Sequence, residues 1–127
     1  MAAARFPASI VARVRDGKIL GIRASCGPHR LIGVWVVVVE GRVFVRSWGV
    51  TGHGWFRTFL EDPRGVMQVG RSRLRVRAVH TRSERLKHAV SDAYARKYHT
   101  PGAVRYVRDL SRQKSRDATI ELVPDRN

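Results

Sequence analysis

Leu31-Ile32-Gly33-Val34-Trp35-Val36-Val37-Val38-Val39-Glu40-Gly41-Arg42-Val43-Phe44-Val45-Arg46-Ser47-Trp48 decides the fold. Leu31 to Val39 is nearly all apolar and rich in β-branched side chains. Such continuity marks a strand covered on both faces, as in a barrel wall with a helix or a second subunit outside it. Glu40-Gly41 is a two-residue turn in which glycine supplies the positive φ of a tight hairpin, and Arg42 to Trp48 returns as the partner strand.

Outward from this hairpin the pattern alternates between short strands and helices. Ala8 to Arg15 predicts a short amphipathic helix with Ile10, Val11 and Val14 on one side, closed by Asp16-Gly17. Lys18 to Ser25 reads as a strand running into a Cys26-Gly27-Pro28 turn. Gly49, Gly52 and Gly54 form a loop whose backbone can approach a ligand closely. Trp55 to Asp62 predicts a helix, with Trp55 and Phe59 on one side, Phe56 and Leu60 on the adjacent one, and Pro63 as its stop. Gly65 to Val69 and Leu74 to Thr81 form a second hairpin, in which Arg73, Arg75 and Arg77 make a wet face opposite Leu74, Val76 and Ala78.

Thr81 and Glu84 have the spacing of a capping box, and the helix behind them carries an apolar stripe of Leu86, Ala89, Val90, Ala93 and Tyr94. Thr100-Pro101 opens another helix with Val104, Val107 and Leu110 inward, and Ala118 to Val123 is a final strand. The expected fold is α+β: a β-barrel of about six mostly antiparallel strands with three or four helices. We assign residues 1–127 to one domain, with an N-terminal segment and helix over 1–16, the barrel core over 17–82, and helices plus the last strand over 83–127.

A chain of 127 residues buries roughly two thirds of the surface it exposes unfolded. Its longest apolar run has strand length, short of the roughly 20 residues of a bilayer span, and the first residues lack a signal-peptide core, so a cytoplasmic protein without membrane association is expected. The lone Cys26 excludes an intramolecular disulfide and a cysteine-rich zinc site. The five histidines (His29, His53, His80, His88 and His99) show no metal-ligand spacing. The net charge of +15 favours anionic partners. All but four of the 25 basic residues are arginine, and they are dispersed, a pattern that a GC-rich genome also generates without selection for binding.

A rigid hairpin that ends in Arg46, Ser47 and Trp48 beside Gly49 and Trp55 makes a cradle for a flat, phosphate-bearing ligand. Arginine offers phosphate a planar fork of charge-assisted hydrogen bonds, serine adds neutral donors, and indoles stack on aromatic rings. Each residue has a plainer alternative. Trp55 and Phe59 at helical spacing serve more often as core anchors than as ring stackers, Trp35 belongs in the core, Arg46 fits an exposed strand position, and Arg23 and Arg30 fit solvated turn flanks. Tyr94 and Tyr98, four apart on a helix, would pack with their hydroxyls at the rim.

Arg23-Ala24-Ser25, then Gly27 and Arg30, the hairpin through Ser47, Trp55 to Pro63, and Ala93-Tyr94-Ala95-Arg96-Lys97-Tyr98 together resemble a bacterial family known as a domain of unknown function. That family is similar to the deazaflavin-dependent nitroreductases and the pyridoxamine-phosphate-oxidase-like flavin proteins, which are split β-barrels. The resemblance spans roughly residues 19 to 123. It implies a homodimer that holds FMN or a deazaflavin between subunits and acts as an oxidoreductase. The candidate cofactor-binding residues, from this resemblance and from the chemistry of the hairpin end together, are Arg23, Ser25, Arg30, Arg46, Ser47, Trp48, Gly49, Trp55 and Arg57; no catalytic residue is implied. The chain departs from the relatives at Ile22, where they have glycine, at the extra residue Cys26, and at Thr58, where they have asparagine.

Two alternatives stand beside this reading. A nucleic-acid-binding module would use Arg71, Arg73, Arg75 and Arg77 along one hairpin, and a barrel that has lost its cofactor would serve as a binding protein.

Overall fold

A computed structural model describes residues 5–25, 30–48 and 54–125. In chain order the elements are α1 (Ala8–Asp16), β1 (Ile19–Ala24), β2 (Ile32–Val39), β3 (Arg42–Arg46), α2 (Trp55–Glu61), β4 (Arg64–Val69), β5 (Ser72–His80), α3 (Glu84–Lys97), α4 (Pro101–Leu110), α5 (Gln113–Arg116) and β6 (Thr119–Pro124). The expected turn at Cys26-Gly27-Pro28, together with Gly49, Gly52, His29 and His53, lies outside the described residues.

Glu40 and Gly41 both adopt positive φ, 56° and 72°, which gives the β2–β3 turn the twist its strands need. Around that hairpin the strands close a barrel in the order β1-β2-β3-β6-β5-β4, every neighbouring pair antiparallel. Leu20, Ile22, Val36, Val43, Val45, Met67, Val76, Ile120 and Leu122 point inward and are buried. Burial of each such side chain stabilises the fold by about 1.5–3 kcal/mol. β6 arrives late in the chain and completes the wall. On the outer face Arg42 clasps it with a two-pronged bond to Glu121, Nε to Oε2 at 3.0 Å and Nη2 to Oε1 at 2.7 Å.

The unbroken apolar run of β2 is explained by two separate cores. Val34, Val36 and Val38 face the barrel interior, while Trp35, Val37 and Val39 pack outward with Phe44 beneath α3, against Leu86, Val90, Ala93 and Tyr94. The wet face of β5 is as expected, with Arg73, Arg75 and Arg77 exposed.

Three local expectations need correction. The cap of α3 is Ser83, whose hydroxyl accepts from the Leu86 N–H at 3.2 Å; Thr81 is buried and donates its own N–H to the Thr119 carbonyl at 2.9 Å. The β5–β6 ladder has captured the threonine that spacing alone had assigned to the helix. In α4, Val107 and Leu110 are buried but Val104 is exposed. A fifth helix, α5, makes one turn where the sequence has no hydrophobic period to announce it.

Candidate functional site

The β2–β3 ladder stops at Val36↔Val45, yet β2 continues back to Ile32 paired with β1 through Ile22↔Ile32. Among the described residues, the stretch from Ile32 to Trp35 therefore has no β3 partner on its second edge. A cavity of about 310 Å³ opens there, walled by Ile32, Gly33, Val34 and Trp35 of β2, by Ile19 and Leu110, and by Arg46, Trp48 and Trp55. Its size is at the lower end of small-molecule sites.

Aromatic stacking fixes the geometry of this cleft. Trp35 lies flat on Tyr98, with centroids 4.2 Å apart, and meets the edge of Tyr106 at 6.2 Å. Tyr106 also supports Trp48, at 4.6 Å and near perpendicular. Trp48 stays 51% exposed, beside Ile19 at 56% and Ile32 at 42%. Trp55 is half-buried, packs on the barrel core and meets the edge of Phe59 at 6.1 Å.

Arg46 does not follow the plain reading of an exposed strand position. It is 4% exposed and points outward under the helices. Its Nε donates to Thr119 Oγ1 at 2.9 Å, Nη1 to Ser91 Oγ at 2.8 Å and the Leu110 carbonyl at 2.9 Å, and Nη2 to the Lys87 carbonyl at 2.9 Å. Leu110 ends α4, so its carbonyl belongs to the partly negative helix terminus, which suits a cation. Burial pulls the guanidinium pKa down to about 10. Among the described residues no carboxylate pairs with it.

Tyr94 and Tyr98 are structural where the ladders end. Tyr94 donates its hydroxyl to the Trp35 carbonyl at 3.0 Å, at the point where β2 parts from β3. The Tyr98 hydroxyl accepts from Val36 N–H at 3.0 Å and lies 2.6 Å from the Lys18 carbonyl, so it bridges β1 and β2 just beyond their last pair. Both residues are buried, contrary to the expected rim position, and burial pushes both phenol pKa values up.

Of the residues proposed from sequence, the cleft gathers Arg46, Trp48 and Trp55. Ser47 is buried beside them at the end of β3, its N–H bonded to the Ala118 carbonyl at 3.1 Å. Arg23 lies on the outer row of β1, two residues past Gly21, and its Nε is buried without a hydrogen-bond partner among the described residues. Ser25 sits at φ 73° and bonds the Arg64 carbonyl through its N–H at 2.8 Å. Arg30 is exposed, and Arg57 is exposed on α2 with Glu61 at 3.8 Å. Arg23, Ser25, Arg30 and Arg57 do not line the cleft, and Gly49 lies outside the described residues.

Sequence reasoning does not single out Ile19, Ile32, Gly33, Val34 and Leu110, which line the cleft, or Tyr106, which supports Trp35 and Trp48. Tyr106, an aromatic on the polar side of α4's pattern, was the one visible signal.

Two further cavities lie nearby. One of about 480 Å³ shares Trp48 and is bordered by Arg112, Lys114 and Ser115. The other, about 430 Å³, lies between Phe56, Leu60, Lys114 and His80, whose Nε2 is 2.7 Å from the Asp117 carbonyl. Both are larger than the cleft, but together they include only Trp48 of the proposed residues.

A family model described as an uncharacterized protein conserved in bacteria (DUF2255) matches residues 10–122. No curated protein matches the sequence. Among solved structures, the chain is similar to one described as a putative pyridoxamine 5'-phosphate oxidase from Listeria innocua. That match has 10% identity and a TM-score of 0.65, covering 93% of this chain and 92% of the other. It is also similar to a conserved hypothetical protein from Mycobacterium tuberculosis, at 15% identity and a TM-score of 0.59, covering 100% of this chain and 85% of the other. At such identities the likeness establishes the split-barrel fold.

Proposed function

The chain belongs to the bacterial family DUF2255, and we propose that its cleft binds an isoalloxazine-type cofactor, FMN or a deazaflavin, in an oxidoreductase. The observation that carries this reading is the convergence of three indoles on one opening of the barrel wall, backed by a buried guanidinium. The likeness to a putative pyridoxamine 5'-phosphate oxidase supports the same ligand class.

The residues fit such a group in two ways. Trp48 and Trp55 present ring surface to a planar ligand, and Ile19, Ile32, Val34 and Leu110 keep water from it. Arg46, with its donors engaged by protein groups, acts as a fixed positive charge behind the cleft rather than as a movable phosphate ligand. The phosphate end falls to Arg23, whose buried Nε lacks a partner among the described residues, with Ser25 and Arg30 nearby in the chain. Arg23 is four strand residues from Ile19, about 13 Å along β1. Ser47, Gly49 and Arg57 complete the assigned set. The bound cofactor would supply the electron transfer itself, so the chain needs no nucleophile–base pair. A second copy of the chain would cover the exposed Trp48, Ile19 and Ile32, which accords with a homodimer.

The test is spectroscopic. Protein as isolated, then titrated with FMN and with a reduced deazaflavin, should show the chromophore band and quenched tryptophan emission. Trp48→Ala and Trp55→Ala should each weaken uptake by at least about tenfold, the scale of one lost aromatic contact. Colourless protein whose emission neither ligand quenches overturns the proposal.

A further inference from the structure

The stretch from Arg64 to His80 contains five arginines and no acidic residue. Folded as β4 and β5, it presents them on the outside of the barrel. Arg73, Arg75 and Arg77 alternate with the inward-facing Leu74 and Val76, and all three are exposed. Arg71 is exposed in the turn before them, and Arg64 lies directly across the ladder from Arg77. Successive guanidinium positions on one strand face are about 7 Å apart, so three of them form a row about 13 Å long.

Several groups face this row, and Arg64, Arg75 and Asp125 are each engaged within the protein as well. Gln68 accepts from Arg73 Nε at 2.7 Å, Val66 stands opposite Arg75, and Asp62 is held by Arg64 at 3.1 Å. Asp125 joins the row's edge through its N–H on the Arg75 carbonyl at 3.1 Å. Arg13 of α1 bonds Ser72 Oγ at 3.2 Å, on the side of β5 that carries Leu74 and Val76, and so does not extend the row. Like charges directly opposite on a sheet are destabilising; at the one such pair in this ladder, Arg64 and Arg77, Asp62 already offsets part of the repulsion.

We propose that this outer face of the β4–β5 hairpin is a docking surface for the phosphodiester backbone of nucleic acid. A linear, evenly spaced row suits a one-dimensional polyanion, whereas a single phosphate group would need converging donors. The face has no aromatic ring to stack on bases, so the contact reads charge and not sequence. Nor does it carry the protruding aromatic or leucine side chains that would anchor it in a lipid surface. None of these arginines lines the cleft, so failure of cofactor uptake leaves the inference standing.

The experiment is fluorescence anisotropy of the full chain with fluorescein-labelled 20-mer single strands and duplexes between 50 and 200 mM NaCl. Three to five neutralised phosphates predict duplex affinity falling by about 40- to 500-fold over that range. The triple variant Arg73→Gln, Arg75→Gln, Arg77→Gln should flatten the log–log salt slope by about 2 to 3. A control triple, Arg96→Gln, Arg105→Gln, Arg108→Gln, removes the same charge from the exposed sides of α3 and α4 and should flatten it by less than about 1. Replacing the three β5 arginines with lysine should keep most of the slope, and urea unfolding of each variant verifies that it is folded. Three outcomes overturn the inference: no binding at 50 mM, equal loss in both glutamine triples, or tighter binding to phosphatidylserine vesicles than to either oligonucleotide.

Discussion

Replacing Arg46 tests whether the fork or the charge holds the helices on the barrel. The side chain joins four elements: its own strand β3, Thr119 of β6, Ser91 and Lys87 of α3, and the last carbonyl of α4. In Arg46→Lys the charge remains but a single ammonium cannot span these acceptors. Two of the four bonds are then lost at about 1.5–3 kcal/mol each, partly offset by relaxation, for a net cost of about 2–4 kcal/mol. Arg46→Met removes the charge along with its desolvation cost. Thr119 Oγ1 keeps its bond to the Arg116 carbonyl at 2.6 Å, and the Lys87 carbonyl lies inside α3. The main orphan is the Leu110 carbonyl, so methionine should cost about 1–3 kcal/mol, no more than lysine. At this length each kcal/mol lowers Tm by roughly 3–5 °C. Urea unfolding followed by circular dichroism measures both variants. Lysine within about 0.5 kcal/mol of the parent, or methionine clearly worse than lysine, would refute the argument that directional bonds outweigh charge here.

Two further perturbations report on the seams of the barrel. Tyr98→Phe leaves the Val36 N–H, bonded to the phenol at 3.0 Å, without its partner, and should cost about 1–3 kcal/mol while speeding exchange of that amide; unchanged exchange would show that the hydroxyl does not hold the strand. Lys97 donates to the Val36 carbonyl at 2.8 Å and the Val14 carbonyl at 3.2 Å, and burial, then the nearby Lys18, lower its pKa to about 8. The unfolded lysine titrates near 10.4, so from about pH 8 upward the unfolded chain binds more protons and this group makes stability rise with pH. Urea midpoints between about pH 7.5 and 9.5, below the range where unfolded tyrosines ionise, should rise more steeply in the parent than in Lys97→Met; parallel slopes would contradict the assignment.

The barrel was legible because its signals are local. Hydrophobic period, the Glu40-Gly41 turn and the stop at Pro63 act within a few residues, so the hairpins and most helix positions follow from them. Where two elements compete for one residue, the sequence misleads. Thr81 has the spacing of a cap, but β6 offers its N–H a carbonyl and Ser83 takes over the helix start. Val104 has the period of a core residue in α4, but that helix covers α3 on a narrower stripe and leaves it in water.

The candidate site divides in the same way. The sequence by itself determined that Arg46, Ser47 and Trp48 end a hairpin close to Trp55, because a strand and its adjoining helix are short and consecutive. Only the tertiary structure decided that β2 outruns β3 and opens a cleft, that Leu110 of α4 lines it while Tyr106 supports Trp35 and Trp48, and that Arg46 turns its donors to the helices. Those outcomes depend on contacts between residues as many as 73 positions apart, such as Arg46 with Thr119. No local preference encodes them; they arise when helices packed on the barrel supply buried acceptors, which fix where a long polar side chain can be satisfied.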